Sequence, residues 1–219
     1  MKIDYKWTVS AQGYQPILVS FLICWLGTAF FGVSILSILL LITFLLIVHF
    51  FRDPERIIPN TDGIISPADG KVIAVDTVKE DEFTNSEMKR ICIFLSVFDC
   101  HIARSPVSSE VVETKYFEGK FKFANSLECI ENERLYMHLK TEDNRDVVLI
   151  LFAGFIARRI VPFVSRTSIL KIGQRIGIIK FGSRIDIYVP SDYVTELKAG
   201  DEVVAGESIL FNKINEKLV

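Results

Sequence analysis

The chain has 219 residues, 50% of them hydrophobic, with a formal net charge of -2 and a mean hydropathy of +0.34. Many Ile, Val and Phe with only 12 Gly and 7 Pro exclude a disordered or collagen-like chain, and the near-neutral charge gives no support to nucleic-acid binding through phosphate contacts. The four cysteines, Cys24, Cys92, Cys100 and Cys129, form no CxxC pair, which argues against a disulfide framework or a zinc site and fits a reducing compartment.

The apolar excess sits at the N-terminal end. No Asp, Glu, Lys or Arg occurs between Lys6 and Arg52. The apolar block 17–51 is too long for the core of a signal peptide and runs into HFFRDPER, which has no small-residue cleavage site. One straight helix over it would measure about 52 Å, against a hydrocarbon core of about 30 Å. Gly27 and Gly32 lie where a break is needed. Lys2 and Lys6 before the block, and Arg52 and Arg56 after it, predict that both ends stay on the cytoplasmic side. The expectation is a helical hairpin in the cell membrane over residues 1–51, with His49 at the interface, followed by a domain over 52–219.

Beyond Arg52 the pattern changes to short runs of β-forming residues bounded by turn residues. GKVIAVDTV follows the turn SPADG. The polar stretch 81–89 reads as a loop, and RICIFLSVF and EVVETKYFEG as strands. ERLYMHLK and RDVVLILFAGF flank TEDN as a hairpin. GQRIGIIKF and RIDIYVP flank Gly182-Ser183, and LKAGDEVVAGESILF carries small glycine turns. The domain is expected to be mainly β, a compact sandwich or barrel-like fold.

Three places set polar residues among apolar ones. Asp69 in SPADGK sits in an Asp-Gly context, which by itself signals a turn. In FLSVFDCHIARSP an apolar strand runs into Asp99, His101 and Arg104, a group able to bind an anion or move a proton. The three histidines, His49, His101 and His138, lack metal-ligand spacing. In KFGSRI, Gly-Ser between two strand-like runs reads from spacing alone as a two-residue hairpin turn. Ile185, Ile187 and Val189 alternate with Arg184, Asp186 and Tyr188, as in a half-buried strand.

Taken in order, SPADGKV, FLSVFDCHIARSPV, FAGFIARRIV and GQRIGIIKFGSRIDIYVP resemble the phosphatidylserine decarboxylase family in its short, membrane-anchored form, over about residues 53–211. The resemblance implies a proenzyme that cuts itself between Gly182 and Ser183, giving a β chain 1–182 and an α chain 183–219. It implies a pyruvoyl group made from Ser183, which forms a Schiff base with the substrate amine. Neither a metal nor pyridoxal phosphate is then needed. Asp69 matches the Asp of the family's xPxDG motif. The longer members carry DxHxxH, where this chain has Arg104 in place of the second His, so His101 is expected to act as the base and Asp69 to orient it. Arg104, Arg158, Arg159 and Arg166 are candidates for the lipid phosphate or carboxylate, with a surface facing anionic lipid as the rival for Arg158-Arg159.

The implied activity is decarboxylation of phosphatidylserine to phosphatidylethanolamine in phospholipid biosynthesis. The partners are membrane phosphatidylserine and the two chains of one precursor, with no nucleic acid and a homo-oligomer left open. Two other readings stand beside it. A pyruvoyl decarboxylase of a soluble amino acid leaves the apolar block unexplained. A membrane-anchored, non-catalytic β-domain of biotinyl or lipoyl type fits GDEVVAGESIL but has no lysine at a hairpin turn.

Overall fold

A computed structural model of the chain describes residues 7–119, 132–154, 159–180 and 183–214. The chain divides into two compact units, Met1–Glu55 and Arg56–Val219. In the first, β1 (Trp7–Val9) leads through a 3-10 turn into α1 (Tyr14–Phe31), then α2 (Ile35–Phe50) and β2 (Arg52–Pro54). β2 pairs back antiparallel onto β1, with Thr8 opposite Asp53, so Arg52–Pro54 belongs with the helices.

Of the two glycines in the apolar block, Gly32 makes the break. Its φ of 62° and ψ of -159° suit glycine alone. Ser34 then caps α2 in a reciprocal capping box with Ser37. The helices have 18 and 16 residues, or about 27 and 24 Å. Phe21 packs on Phe44 at 5.8 Å between ring centroids. Leu22, Trp25, Leu39 and Leu46 are exposed, an unfavourable surface in water. The segment Ala11–Phe31 is long and apolar enough to cross a membrane by length and composition.

The second unit is built of strands: β3 (Ile64–Ile65), β4 (Gly70–Glu80), β5 (Ser86–Leu95), β6 (Ile102–Arg104), β7 (Ser109–Phe117), β8 (Arg134–Thr141), β9 (Asp146–Ala153), β10 (Ile160–Pro162), β11 (Ile169–Leu170), β12 (Arg175–Ile179), β13 (Ser183–Val189), β14 (Tyr193–Val194), β15 (Glu202–Val203) and β16 (Ile209–Lys213). Eight form one curled antiparallel sheet in the order β11-β7-β8-β9-β13-β5-β4-β15. Two three-stranded sheets, β10-β12-β6 and β14-β16-β3, share its main core. Ile93, Leu149, Leu151, Ile185 and Ile187 of the large sheet pack there with Ile64, Ala103, Ile176, Ile179 and Phe211 of the small ones. Each such fully buried aliphatic side chain contributes roughly 1.5–3 kcal/mol. A second cluster of Met88, Val148, Ile150, Phe152 and Tyr188 lines the opposite face.

The mainly β domain and the helical hairpin agree with the sequence reading, and so does the TEDN hairpin, where β8 and β9 pair and Asn144 takes a φ of 63°. Two local readings are corrected. The loop expected over 81–89 ends early, because Ser86 already pairs with Glu80 in the β4-β5 ladder. The Glu80 carboxylate closes that turn by accepting the N–H groups of Glu82, Phe83 and Thr84.

The second correction concerns Gly-Ser. β12 and β13 do not form a hairpin: β12 pairs with β10 and β6, and β13 with β5 and β9. The chain crosses from one sheet to the other between Ile179 and Ser183. Nor is β13 half-buried, since all seven of its residues are buried. A central strand covered on both faces has no polar side to show, and Arg184 and Asp186 neutralise each other there.

Candidate active site

Ser183 opens β13, with Leu95 of β5 on one side and Ala153 of β9 on the other. Alternation along the strand turns its side chain to the same face as Ile185 and Ile187, into the main core. Ser183 is 0% exposed, and its hydroxyl has no hydrogen-bond partner among the described residues. Such an orphan costs about 1–3 kcal/mol and calls for a reason beyond packing. Phe181 and Gly182 lie outside the described residues.

The separated motifs converge on this strand end. β6 carries the DCHIAR segment beside β12, and the Ile179 N–H donates to the His101 carbonyl at 3.2 Å. The SPADG turn lies on the other side of β6, where Arg104 N–H donates to the Pro67 carbonyl at 2.9 Å. Gly70 follows with a φ of 147°, and a Cβ there would stand 2.2 Å from the Phe94 carbonyl oxygen. The Asp-Gly pair thus lets β4 lie flush against the end of β5, one strand from Ser183.

His101 is buried, and its Nδ1 lies 2.9 Å from the Asp99 carbonyl oxygen. A carbonyl only accepts, so Nδ1 carries the proton and Nε2 is the basic nitrogen of the neutral ring. Asp99 holds the turn before it, accepting the Ser96 N–H at 2.7 Å. Asp69 was expected to orient this imidazole, but its carboxylate is bonded elsewhere. Arg56 Nη2 donates to one oxygen at 2.7 Å and the Ala205 N–H to the other at 2.8 Å. The backbone of Asp99, not the side chain of Asp69, holds Nδ1.

Of the candidate arginines, Arg104 is buried and donates to the Gly173 carbonyl at 3.1 Å. Arg159 is exposed, and its carbonyl accepts the Lys180 N–H at 3.3 Å, beside the segment that leads into Ser183. Arg158 lies outside the described residues. Arg166 sits next to Thr167, which bonds to Val111, toward the end of β7 remote from Ser183. A cleft of about 790 Å³ lined by Thr61, Ser108, Thr141, Asp143, Tyr193 and Lys213 is at that remote end too.

The phosphatidylserine decarboxylase family model matches residues 44–211. The chain belongs to the phosphatidylserine decarboxylase family. Among similar proteins named phosphatidylserine decarboxylase proenzyme, that of Nitrosomonas eutropha is 38% identical over 92% of this chain and 94% of its own. That of Desulfotalea psychrophila is 39% identical over 81% and 84%, and that of Symbiobacterium thermophilum 44% over 76% and 78%.

Within this phosphatidylserine decarboxylase family fold, three further polar residues shape the site without belonging to any of the motifs: the half-buried Arg56, and Asn132 and Glu133, which are buried. Asn132 donates through Nδ2 to the Ala153 carbonyl at 2.9 Å. Glu133 accepts the Ile160 N–H at 2.9 Å through its carboxylate, while its carbonyl accepts the Ala153 N–H at 2.9 Å. Together Asn132 and Glu133 fix the strand end facing Ser183. Their only sequence signal is an Asn-Glu pair directly before an apolar run, which reads equally well as a loop. Among the described residues no group of three or more His, Cys, Asp or Glu side chains could hold a metal ion.

Proposed function

We propose that this chain is a membrane-attached proenzyme that cuts itself between Gly182 and Ser183 and then decarboxylates phosphatidylserine to phosphatidylethanolamine. The observation that carries the reading is the buried Ser183 hydroxyl, without a partner among the described residues, at the strand end where the family's motifs meet. A pyruvoyl ketone made from Ser183 would supply the electron sink needed when carbon dioxide leaves an α-amino acid.

Maturation is chemistry of the chain's own atoms. The Ser183 hydroxyl adds to the Gly182 carbonyl carbon, the amide C–N bond breaks, and an ester forms while the freed amine takes up the proton. Loss of the Ser183 Cα proton then expels Gly182 as a carboxylate by β-elimination. The dehydroalanine left behind takes up one water and loses ammonia, which leaves the keto group. His101 Nε2 is the base we assign to the hydroxyl proton, and the same nitrogen can return a proton during turnover. Asp69 acts by fixing the SPADG turn against Ala205. Arg159, exposed beside the segment that leads into Ser183, is the arginine we assign to an anionic headgroup.

The α chain, 183–219, has its long strand between β5 and β9. β15 adds to β4 and β16 to β3. The cut therefore leaves the two chains interwoven. A diacyl lipid stays in the bilayer, and the apolar hairpin keeps the enzyme at that surface. The flanking Lys2, Lys6, Arg52 and Arg56 favour the cytoplasmic face.

Intact-mass spectrometry of the denatured protein, with assay of carbon dioxide release from phosphatidylserine, tests the reading. The expected result is two chains, 1–182 and 183–219, the second blocked to N-terminal sequencing because a keto group has replaced its amine. Full activity in a preparation containing only the uncut chain would overturn it.

A further inference from the structure

Beside Ser183, β13 carries an ion pair on the face turned away from the main core. Arg184 and Asp186 are 1% and 0% exposed. The guanidinium forks onto the carboxylate, with Nε 2.6 Å from Oδ1 and Nη2 2.5 Å from Oδ2. It also lies over the Phe152 ring, 5.0 Å from its centroid. Asp186 is 4.0 Å from Arg90 Nη1, and Arg90 is itself held by Asp76 through bonds of 2.9 and 2.7 Å.

Stability does not explain this pair. Besides Arg90, its neighbours on that face include the apolar Met88, Val148, Ile150, Phe152 and Tyr188, among which apolar residues of similar volume would serve as well or better. What a buried ion pair does well is fix register. A one-residue slip in a β-ladder turns every side chain to the other face. Here a slip would drive Arg184 among Leu95, Ala153, Ile93 and Leu151 of the main core, an environment closed to an unpaired charge. It would also turn residue 183 away from the site.

Before the cut, the chain holds both ends of β13. After it, residue 183 is a free end, and free strand ends fray. We propose that Arg184 and Asp186 are positioning residues, a register pin that keeps the newly freed residue 183 facing the interior of the sheet. The inference rests on the cut between Gly182 and Ser183 proposed above.

The test uses full-length protein carrying Arg184→Met and Asp186→Val together, which removes both charges of the pair and stays close to its combined volume. Mass spectrometry comes first. An uncut parent enzyme would overturn the proposed function itself, separately from this inference. On the cut double variant, kcat and KM on detergent-dispersed phosphatidylserine and amide hydrogen exchange over 184–187 are measured. The expected result is a kcat lower by about tenfold or more, as for a misplaced reacting group, with KM within about twofold. Exchange over 184–187 should quicken in the cut double variant. It should not quicken when Ser183→Ala keeps the same double variant uncut. Parental kcat and parental exchange in the cut double variant would overturn the pin. If the double variant does not fold, Arg184→Lys, which keeps the charge and loses the fork, is read the same way. A lowered kcat at unchanged KM supports the pin, and parental kcat overturns it.

Discussion

Asp69 and Arg56 are joined by a 2.7 Å ion pair whose side chains are only 15% and 10% exposed. Removing Arg56 would leave a half-buried carboxylate with one backbone N–H for company. Arg56→Met is therefore expected to destabilise the protein by about 1–2 kcal/mol, between the values for an exposed pair and a fully buried one, measured by urea unfolding. Asp69→Asn can still accept from Ala205 and should unfold less easily than Arg56→Met. Both should slow self-cleavage on a gel time course, because both loosen the same wall. A normal cutting rate in Arg56→Met alongside a slow one in Asp69→Asn would mean that the carboxylate acts on the reaction directly.

His101 is expected to be the proton carrier. His101→Ala should slow cutting, turnover or both by about 10²–10⁴-fold, the usual contribution of a positioned acid or base. Chain cleavage and carbon dioxide release are scored separately, since one nitrogen can serve both. Parental rates in both assays would remove His101 from the site.

The buried Ser183 hydroxyl gives a stability prediction alongside the activity one. Ser183→Ala should remain uncut and inactive. Added to an uncut His101→Ala background, it should also raise stability by about 1 kcal/mol, because a methyl group replaces an unpaired polar group. Chemical denaturation of the two uncut proteins side by side checks this. A loss of stability would mean that the hydroxyl has a partner in the uncut state.

Deleting residues 1–55 removes the helical unit and none of the groups assigned to cutting. The truncated protein should self-cleave, and should lose more activity on phosphatidylserine vesicles than on detergent-dispersed substrate. Equal loss on both would show that the segment shapes the site as well as attaching it.

At the remote end of the sheet, Lys213 Nζ donates to Asp143 at 2.9 Å and the Thr141 hydroxyl to its other oxygen at 2.6 Å. These bonds, Lys213 first, hold the Asp143 carboxyl down at about 2, below its ordinary 3.8. A depressed carboxyl stabilises the fold above its ordinary value, and that stabilisation fades as the pH falls toward 2. Lys213→Met should thus be slightly less stable than the parent at pH 6, by about 0.5 kcal/mol for so exposed a pair, and no less stable at pH 2. Urea melts at the two pH values make the comparison.

Much of the fold could be read from periodicity. The strand runs, the TEDN turn and the apolar hairpin are local features written in neighbouring residues. The pairing around Ser183 could not be read in that way. Gly-Ser between two strand-like runs has every local mark of a hairpin, and only the partners of β12 and β13, far away in sequence, show that the chain crosses between sheets there. Arg184 and Asp186 likewise look like the wet face of a strand, because a single sequence does not reveal that a charge is matched two residues on and then covered. Ser183, His101 and Asp69 became visible through the order of four motifs, whereas Arg56, Asn132 and Glu133 fell outside those motifs and were passed over.

The weave of the last segment through the body of the domain has a consequence for the enzyme's life history. Residues 183–214 contribute four strands, of which only β14 and β16 pair with each other, while β13 and β15 pair with strands that precede the proposed cut, so the fragment alone keeps little to fold around. The precursor acquires its shape as one molecule, with the ends of β13 delivered by the chain itself. A matured enzyme that has been unfolded would have to rebuild the same sheet from two molecules, at a rate that depends on dilution. Heating and cooling should therefore be reversible for the uncut Ser183→Ala protein and one-way for the mature one, so that each enzyme molecule is assembled only once.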